Sequence, residues 1–255
     1  MLSPMCLLTV AMRLDLFLTE GGYVDSRTDA KNFILEGHVE VNGKVITKPA
    51  YDVSGDEAIL VDKSSKKYAS RGGFKLEGAL DAFKVDPKGA LAIDIGASSG
   101  GFTDCLLKRG ASHVIAVDSG SGQMVEALRK DSRVTVIENF NARYMQKSDF
   151  EYTPTLAVMD VSFISAKLIF PAVANILAPG GDYICLIKPQ FEVGRSGLNK
   201  KGIVKNDTLR ENAREDVVSF ALSCGFEFLK LIESPILGGD GNTEYLAHFR
   251  KIENS

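Results

Sequence analysis

Two short stretches place ionisable groups where hydrophobic runs end. In "CLIKPQFEVG" the apolar residues Tyr183 to Ile187 are followed by Lys188 and then Pro189. In "LAVMDVSFIS" a second apolar run ends in Asp160, with Ser162 and Phe163 just beyond. An amine at the end of a buried strand is costly unless it is paired or deprotonated. Adjacent parallel strands lie about 4.8 Å apart, so neighbouring runs would bring Lys188 and Asp160 within ion-pair reach. A lysine held in this way, in its neutral form, can take a proton from a weak nucleophile. The plainer alternative is a structural salt bridge at a sheet edge.

A third stretch, "LAIDIGASSGGFTDCLLKRG", reads as a strand, a glycine-rich turn and a helix. Glycines permit close backbone approach to a ligand. Ser98 stands where a dinucleotide fingerprint needs its middle glycine, so a pyrophosphate ligand matches poorly. The Asp-x-Gly-x-x-x-Gly spacing suits a nucleoside methyl donor, S-adenosylmethionine, whose carboxylate a helix N-terminus attracts. A tight turn that uses glycine only for packing is the competing reading. Asp118, in "HVIAVDSGSGQM", comes 24 residues after Asp94; its carboxylate can accept from both hydroxyls of a ribose or cap a helix. Asn141, in "IENFNARYM", can meet an adenine edge or simply make a turn. The candidate cofactor residues are Asp94, Gly96, Ala97, Ser98, Gly100, Gly101 and Phe102, with Asp118, Asn141 and Ala142.

The elements that must position these groups follow from periodicity. Strands are expected to end near Asp94, Asp118, Ile137, Asp160 and Lys188, with two more at 226–233 and 244–249. Helices are expected near 74–83, 101–109, 122–130, 164–177 and 208–223. Alternating strands and helices imply an α/β fold, a doubly wound and mostly parallel seven-stranded sheet of Rossmann-like type. Ligands of such sheets sit beyond the carboxyl ends of the strands, where these charged groups gather. Upstream, residues 12–61 read as a small α+β domain. A helix carries Leu14, Phe17 and Leu18 and ends at Gly21 and Gly22; a second starts at Ser26, with Asp29 in the capping-box position, and ends at Gly37. A hairpin turns at Asn42-Gly43. Residues 1–11 read as an unstructured leader and 62–73 as a basic linker, leaving 74–255 for the larger domain.

Composition narrows the field. The 255 residues carry a formal net charge of −3, so bulk basicity does not advertise nucleic acid. Cys6, Cys105, Cys185 and Cys224 form no CxxC pair, which excludes a zinc-ribbon or disulfide framework and fits a reducing cytoplasm. No metal site is expected.

The stretches "SRGGFKLEGAL", "DIGASSGGFTDCLL", "MDVSFIS", "IKPQFEVG" and "SPILGGDGNTEYL" closely resemble the TlyA family, also called hemolysin A. Its catalytic domain resembles the FtsJ-type ribose 2′-O-methyltransferases. "RLDLFLTEGGYVDSRTDAKNFILEGHVEVNGK" resembles the alpha-L RNA-binding domain of a small-subunit ribosomal protein. The resemblance spans nearly the whole chain from Met12; the leader before Met12 departs from it. It implies a Lys-Asp-Lys-Glu tetrad at Lys75, Asp160, Lys188 and Glu244. Within that set the chemistry leads us to expect Lys188 as general base, oriented by Asp160, with Lys75 and Glu244 holding the ribose. The resemblance also implies S-adenosylmethionine as cofactor and rRNA or ribosomal subunits as partner. The implied target is a cytidine of large-subunit, and in some members small-subunit, rRNA.

For RNA, the basic residues Arg13, Arg27, Lys31 and Lys44 of the small domain, Lys66, Lys67 and Arg71 of the linker, and Arg195, Lys200, Lys201 and Lys205 of "GRSGLNKKGIVKN" are candidate phosphate contacts. Three rival readings are a membrane-active hemolysin, a noncatalytic RNA-binding or ribosome-assembly factor, and an NAD-dependent redox enzyme. The first lacks an amphipathic or spanning segment in the sequence, the second leaves the tetrad without a role, and the third fails on Ser98.

Overall fold

The computed structural model describes residues 11–35, 37–62, 67–238 and 241–253. The expected leader up to Val10, and Lys66 of the expected linker, lie outside the described residues. The chain divides into two units between Lys67 and Tyr68.

The first unit contains β1 (Met12–Arg13), α1 (Leu14–Glu20), α2 (Arg27–Leu35), β2 (Val39–Val41), β3 (Lys44–Val45), β4 (Asp52–Val53) and β5 (Ile59–Val61). Its core holds Leu14, Leu18, Ile34 and Val39, each fully buried. Ser26 Oγ accepts from the Asp29 amide at 3.1 Å, and the Asp29 carboxylate takes the Ser26 hydroxyl at 2.9 Å. Asn42 and Gly43 both have positive φ, 51° and 74°, as a type I′ hairpin turn between β2 and β3 requires. The two-residue ladder of β1 with β4 is too short to leave a period in the sequence.

The second unit contains α3 (Gly72–Phe83), β6 (Leu91–Ile95), α4 (Gly101–Lys108), β7 (His113–Val117), α5 (Glu126–Arg129), β8 (Val134–Ile137), β9 (Leu156–Met159), α6 (Phe170–Ile176), β10 (Asp182–Ile187), α7 (Asp207–Ser223), β11 (Phe226–Glu233) and β12 (Tyr245–Lys251). Seven strands form one sheet in the order β11-β12-β10-β9-β6-β7-β8. Only β12 runs against its neighbours. Both faces are covered. Ile93, Ile95, Met159 and Cys185 enter one core, and Ala92, Val158, Ile184 and Leu186 enter the other. Burial on both faces is why these strands read as continuous apolar runs. Strand order reverses between β6 and β9, and the crevice at such a switch point is where ligands of doubly wound sheets bind.

Three local expectations are revised. The helix expected at 122–130 is a single turn, because the preceding segment is held as a loop by the Gly122 amide donating to Glu138 Oε1 at 2.9 Å. The helix expected at 164–177 begins at Phe170 and has proline in its first turn; residues Ala166–Leu168 are a separate 3-10 turn. Tyr68, within the expected linker, is 3% exposed and lies edge-on to Phe74 at 5.3 Å, so its aromatic burial outweighs the polar composition around it.

The core under β10 is an aromatic cluster. Phe170 lies 5.2 Å from Tyr183, 5.7 Å from Phe226 and 5.3 Å from Phe249 by ring centroids. It is fully buried, so Phe170→Ala is expected to cost about 3–5 kcal/mol of stability. Urea unfolding of the full chain checks this.

Candidate active site

Sheet register brings the ionisable groups together. Pairing of Ile187 with Tyr245 sets Lys188 opposite Glu244 at the end of the β10–β12 ladder. Pairing of β9 with β10 sets Asp160 on the other side. Lys188 Nζ lies 2.6 Å from Asp160 Oδ1 and donates to Ser162 Oγ at 2.7 Å. Lys75, on α3, reaches Glu244 Oε2 at 2.6 Å, with both side chains buried. Gln190, two residues past Lys188, directs Nε2 at Glu244 Oε1 at a long 3.4 Å. The four groups thus form two ion pairs joined by the Lys188–Gln190 turn.

A cavity of about 370 Å³ opens beside this edge, a volume typical of small-molecule sites. Its lining includes Gly96, Ser98, Asp118, Asn141 and Ala142 on one side and the stretch Asp160 to Ile164 on the other. Gly96 has φ +86°, and a Cβ there would sit 2.5 Å from the Asp160 carbonyl, so glycine is obligatory. The amides of Ser98 and Gly120 donate to the Asp118 carboxylate at 2.8 and 2.7 Å and fix its orientation in the cavity lining. Asn141 lines the cavity while its side chain also caps a 3-10 turn, accepting from the Arg143 amide at 3.1 Å.

The remaining residues of the glycine-rich stretch lie behind this wall. Phe102 is buried in the core with Leu106, and Ala97 is buried beside it. Gly100 makes room for Leu128, and Gly101 for Ser70. Asp94 is fully buried on the α4 side of the sheet and accepts from Thr103 Oγ1 at 2.6 Å through Oδ2. Its Oδ1 has no hydrogen-bond partner. A buried acceptor left open in this way complements a ligand ammonium group or a bridging water.

These observations test the fit of S-adenosylmethionine. The ligand needs an acceptor for its ribose diol, an apolar slot for adenine, an acceptor for its ammonium and close approach at a glycine turn. Asp118, the Phe140–Ala142 wall, Asp94 and Gly96 supply these in turn. Carboxylates at Asp118 and Asp160 also favour a cationic ligand over a pyrophosphate. The residues fit the group.

The basic residues fall in both units. In the first, Arg13 and Arg27 both pair with the wholly buried Asp15, at 2.9 and 3.1 Å, while Lys31 and Lys44 are exposed. Lys67 is exposed, and Arg71 immediately precedes α3. In the second unit Arg195 opens a 3-10 turn, and Lys200 and Lys201 are exposed on the loop that follows. Buried Asn242 holds that loop, accepting from the Val204 amide at 3.1 Å and donating to the Gly202 carbonyl at 3.1 Å. Sequence reasoning gave no role to Asp15, Thr103, Gln190, Glu192 or Asn242. These are polar residues whose partners lie far along the chain or in a neighbouring turn, and no spacing announces them.

Burial pushes the Asp94 carboxyl up to about 7; hydrogen bonds from Thr103 oppose this, and the charges of Asp160 and Asp118 add to it. The folded chain therefore holds a proton here that the unfolded chain releases near pH 4. This contribution to stability is complete below about pH 4 and is lost as pH rises through 7. Asp94→Asn removes the titration. Its thermal stability relative to the parent should rise from pH 4 to 7 and then level off, by up to about 4 kcal/mol, as read by calorimetry across that range.

A family model described as FtsJ-like methyltransferase matches residues 68–251, and one described as S4 domain matches residues 12–59. Hemolysin A of Brachyspira hyodysenteriae is 44% identical over 239 residues, covering 93% of this chain and 99% of its own. The 16S/23S rRNA (cytidine-2′-O)-methyltransferase TlyA of Mycobacterium tuberculosis is 39% identical over 239 residues, covering 93% and 89%. A solved structure from Streptococcus thermophilus, described as a candidate hemolysin, is 42% identical, covers 96% of this chain and 90% of that one, and has a TM-score of 0.77. With matches of this extent over the unit that bears the cavity and both ion pairs, the chain belongs to the FtsJ-like methyltransferase family and carries an S4 domain ahead of that unit.

Proposed function

We propose that this protein methylates a ribose 2′-hydroxyl of a cytidine in 23S rRNA, and of 16S rRNA as a second target, using S-adenosylmethionine in the cytoplasm. The observation that carries the reading is the 2.6 Å contact of Lys188 with Asp160, itself a lining residue of the cavity that Asp118 also borders. The cofactor, when bound, supplies an electrophilic methyl group on a sulfonium centre. Asp118 holds its ribose, Phe140 to Ala142 border its base, and Asp94 offers the open acceptor.

The chain's own work is positioning and proton transfer. Acting in its neutral form, Lys188 Nζ takes the proton of the 2′-hydroxyl as that oxygen becomes the nucleophile; the ion pair with Asp160, with Ser162 beside it, is the protonated state that results. Lys75 and Glu244 hold the ribose, with Gln190 steadying Glu244. Exposed Lys200 and Lys201, on the loop anchored by Asn242, contact RNA phosphates. So do Arg13, Arg27, Lys31 and Lys44 of the S4 domain, and Lys67, Arg71 and Arg195 extend the footprint. Lys66 joins this list on sequence alone. The relatives named as hemolysins raise membrane action as a second reading, but no described helix is long and apolar enough to cross a membrane.

Lys188 is the better residue to remove, because Asp160 is partly solvated. Removing Lys75 would strand a buried Glu244 at about 3–5 kcal/mol. Lys188→Ala should lower methyl transfer to rRNA about 10²–10⁴-fold. Calorimetric affinity for S-adenosylmethionine should stay within about threefold of the parent. Retained turnover would remove Lys188 from the role. For RNA, replacing Lys200 and Lys201 together by glutamine should weaken binding and reduce the slope of log affinity against log salt by about 1.5. An unchanged slope would take the loop out of the interface.

A further inference from the structure

The segment after β10 commits alternate residues to different elements. Lys188 holds Asp160 and Ser162, Gln190 meets Glu244, and Glu192 holds Ser165 and Ala166. The last of these has no part in the mechanism above. Glu192 Oε2 accepts from Ser165 Oγ at 2.6 Å and Oε1 accepts from the Ala166 amide at 2.7 Å. Each oxygen therefore carries one short charge-assisted bond, the strong kind. Both donors stand at the far end of the loop that supplies Asp160, Ser162 and Phe163 to the cavity wall.

That loop is strained. Phe163 has φ +64° with its ring 92% exposed, a backbone region that bulky side chains seldom occupy. Such strain persists only where the surroundings over-determine it. Here they do so from both sides: Lys188 holds Ser162 on one side, and Glu192 holds Ser165 and Ala166 on the other. The rings of Phe163 and Phe191 lie 5.3 Å apart between the two anchors.

We propose that Glu192 is a positioning residue for methyl transfer: by holding Ser165 and Ala166 it fixes the strained Phe163 turn and so the placement of Asp160 and Ser162 against Lys188. The kinetic consequence rests on the methyltransferase reading; the clamp itself does not. A carboxylate that merely caps the 166–168 turn would change local protection and leave the chemistry alone, which gives the test its two arms.

Amide exchange and steady-state kinetics on full-length Glu192→Ala, Glu192→Gln and Ser165→Ala separate these. In Glu192→Ala, peptides covering 161–168 should exchange about tenfold faster or more, with β12 unchanged. In the same variant kcat should fall about 10- to 100-fold, more than KM for S-adenosylmethionine rises. Glu192→Gln keeps an acceptor for Ala166 and offers its amide to Ser165, and should recover to within about threefold of the parent. The double variant Glu192→Ala/Ser165→Ala should be no slower than Glu192→Ala, since both lose the same bond. Unchanged exchange at 161–168, faster exchange with an unaltered kcat, or additive losses in the double variant would each overturn the proposal. If Glu192→Ala does not fold, Ser165→Ala, which deletes a single oxygen, carries both readouts. A parent protein inactive on rRNA would remove the methyltransferase reading and leave the exchange arm to judge the clamp.

Discussion

The second unit is organised around one constraint: amines and acids must end up at the edge of a sheet that is apolar on both faces. Lys188 leaves β10 with hydrophobic cores above and below its strand, and its charge is tolerated because Asp160 and Ser162 meet it within 2.7 Å. Lys75 and Glu244 repeat the solution in a drier place. Removing Lys75 would leave the Glu244 charge in low dielectric, whereas removing Lys188 leaves Asp160 partly solvated. The pairs therefore hold the strand ends in register as much as they prepare chemistry. The antiparallel entry of β12 is what allows this. It brings Glu244 to the same edge as Lys188 although the chain runs the other way.

Beside these balanced pairs the cavity is acidic. Asp118 and Asp160 line it, and Asp94 stands behind it with one oxygen unsatisfied. A wall of this sign selects for a cationic nucleoside and against polyphosphates. Under the proposed reading, exposed basic residues on loops of this unit and in the S4 domain would meet RNA phosphates. Local basic groups of this kind would let a chain with a net charge of −3 bind a polyanion. In the S4 domain the buried Asp15 takes two arginines at once and keeps both guanidinium groups at the surface.

Short polar stitches complete the site. Thr103 fixes Asp94, backbone amides fix Asp118, Glu192 fixes the loop after β9, and Asn242 fixes the loop after β10. Each is local in space, and most join residues distant in sequence. They turn a family-wide sheet into one particular arrangement of side chains.

The sequence by itself determined the strand–helix alternation, the hairpin at Asn42-Gly43 and the charged strand ends, because apolar period and turn chemistry are properties of neighbouring residues. Through resemblance it also pointed to four tetrad residues from four separate stretches. What only the tertiary structure decided was which acid meets which amine, which of the glycine-turn residues line the cavity, and where helices near 126 and 170 begin. It alone showed the contacts of Glu192 and Asn242. Those outcomes depend on strand register and on partners tens of residues away, whose energies are settled only when desolvation and contact occur together. The spacing of residues along the chain contains no measure of either.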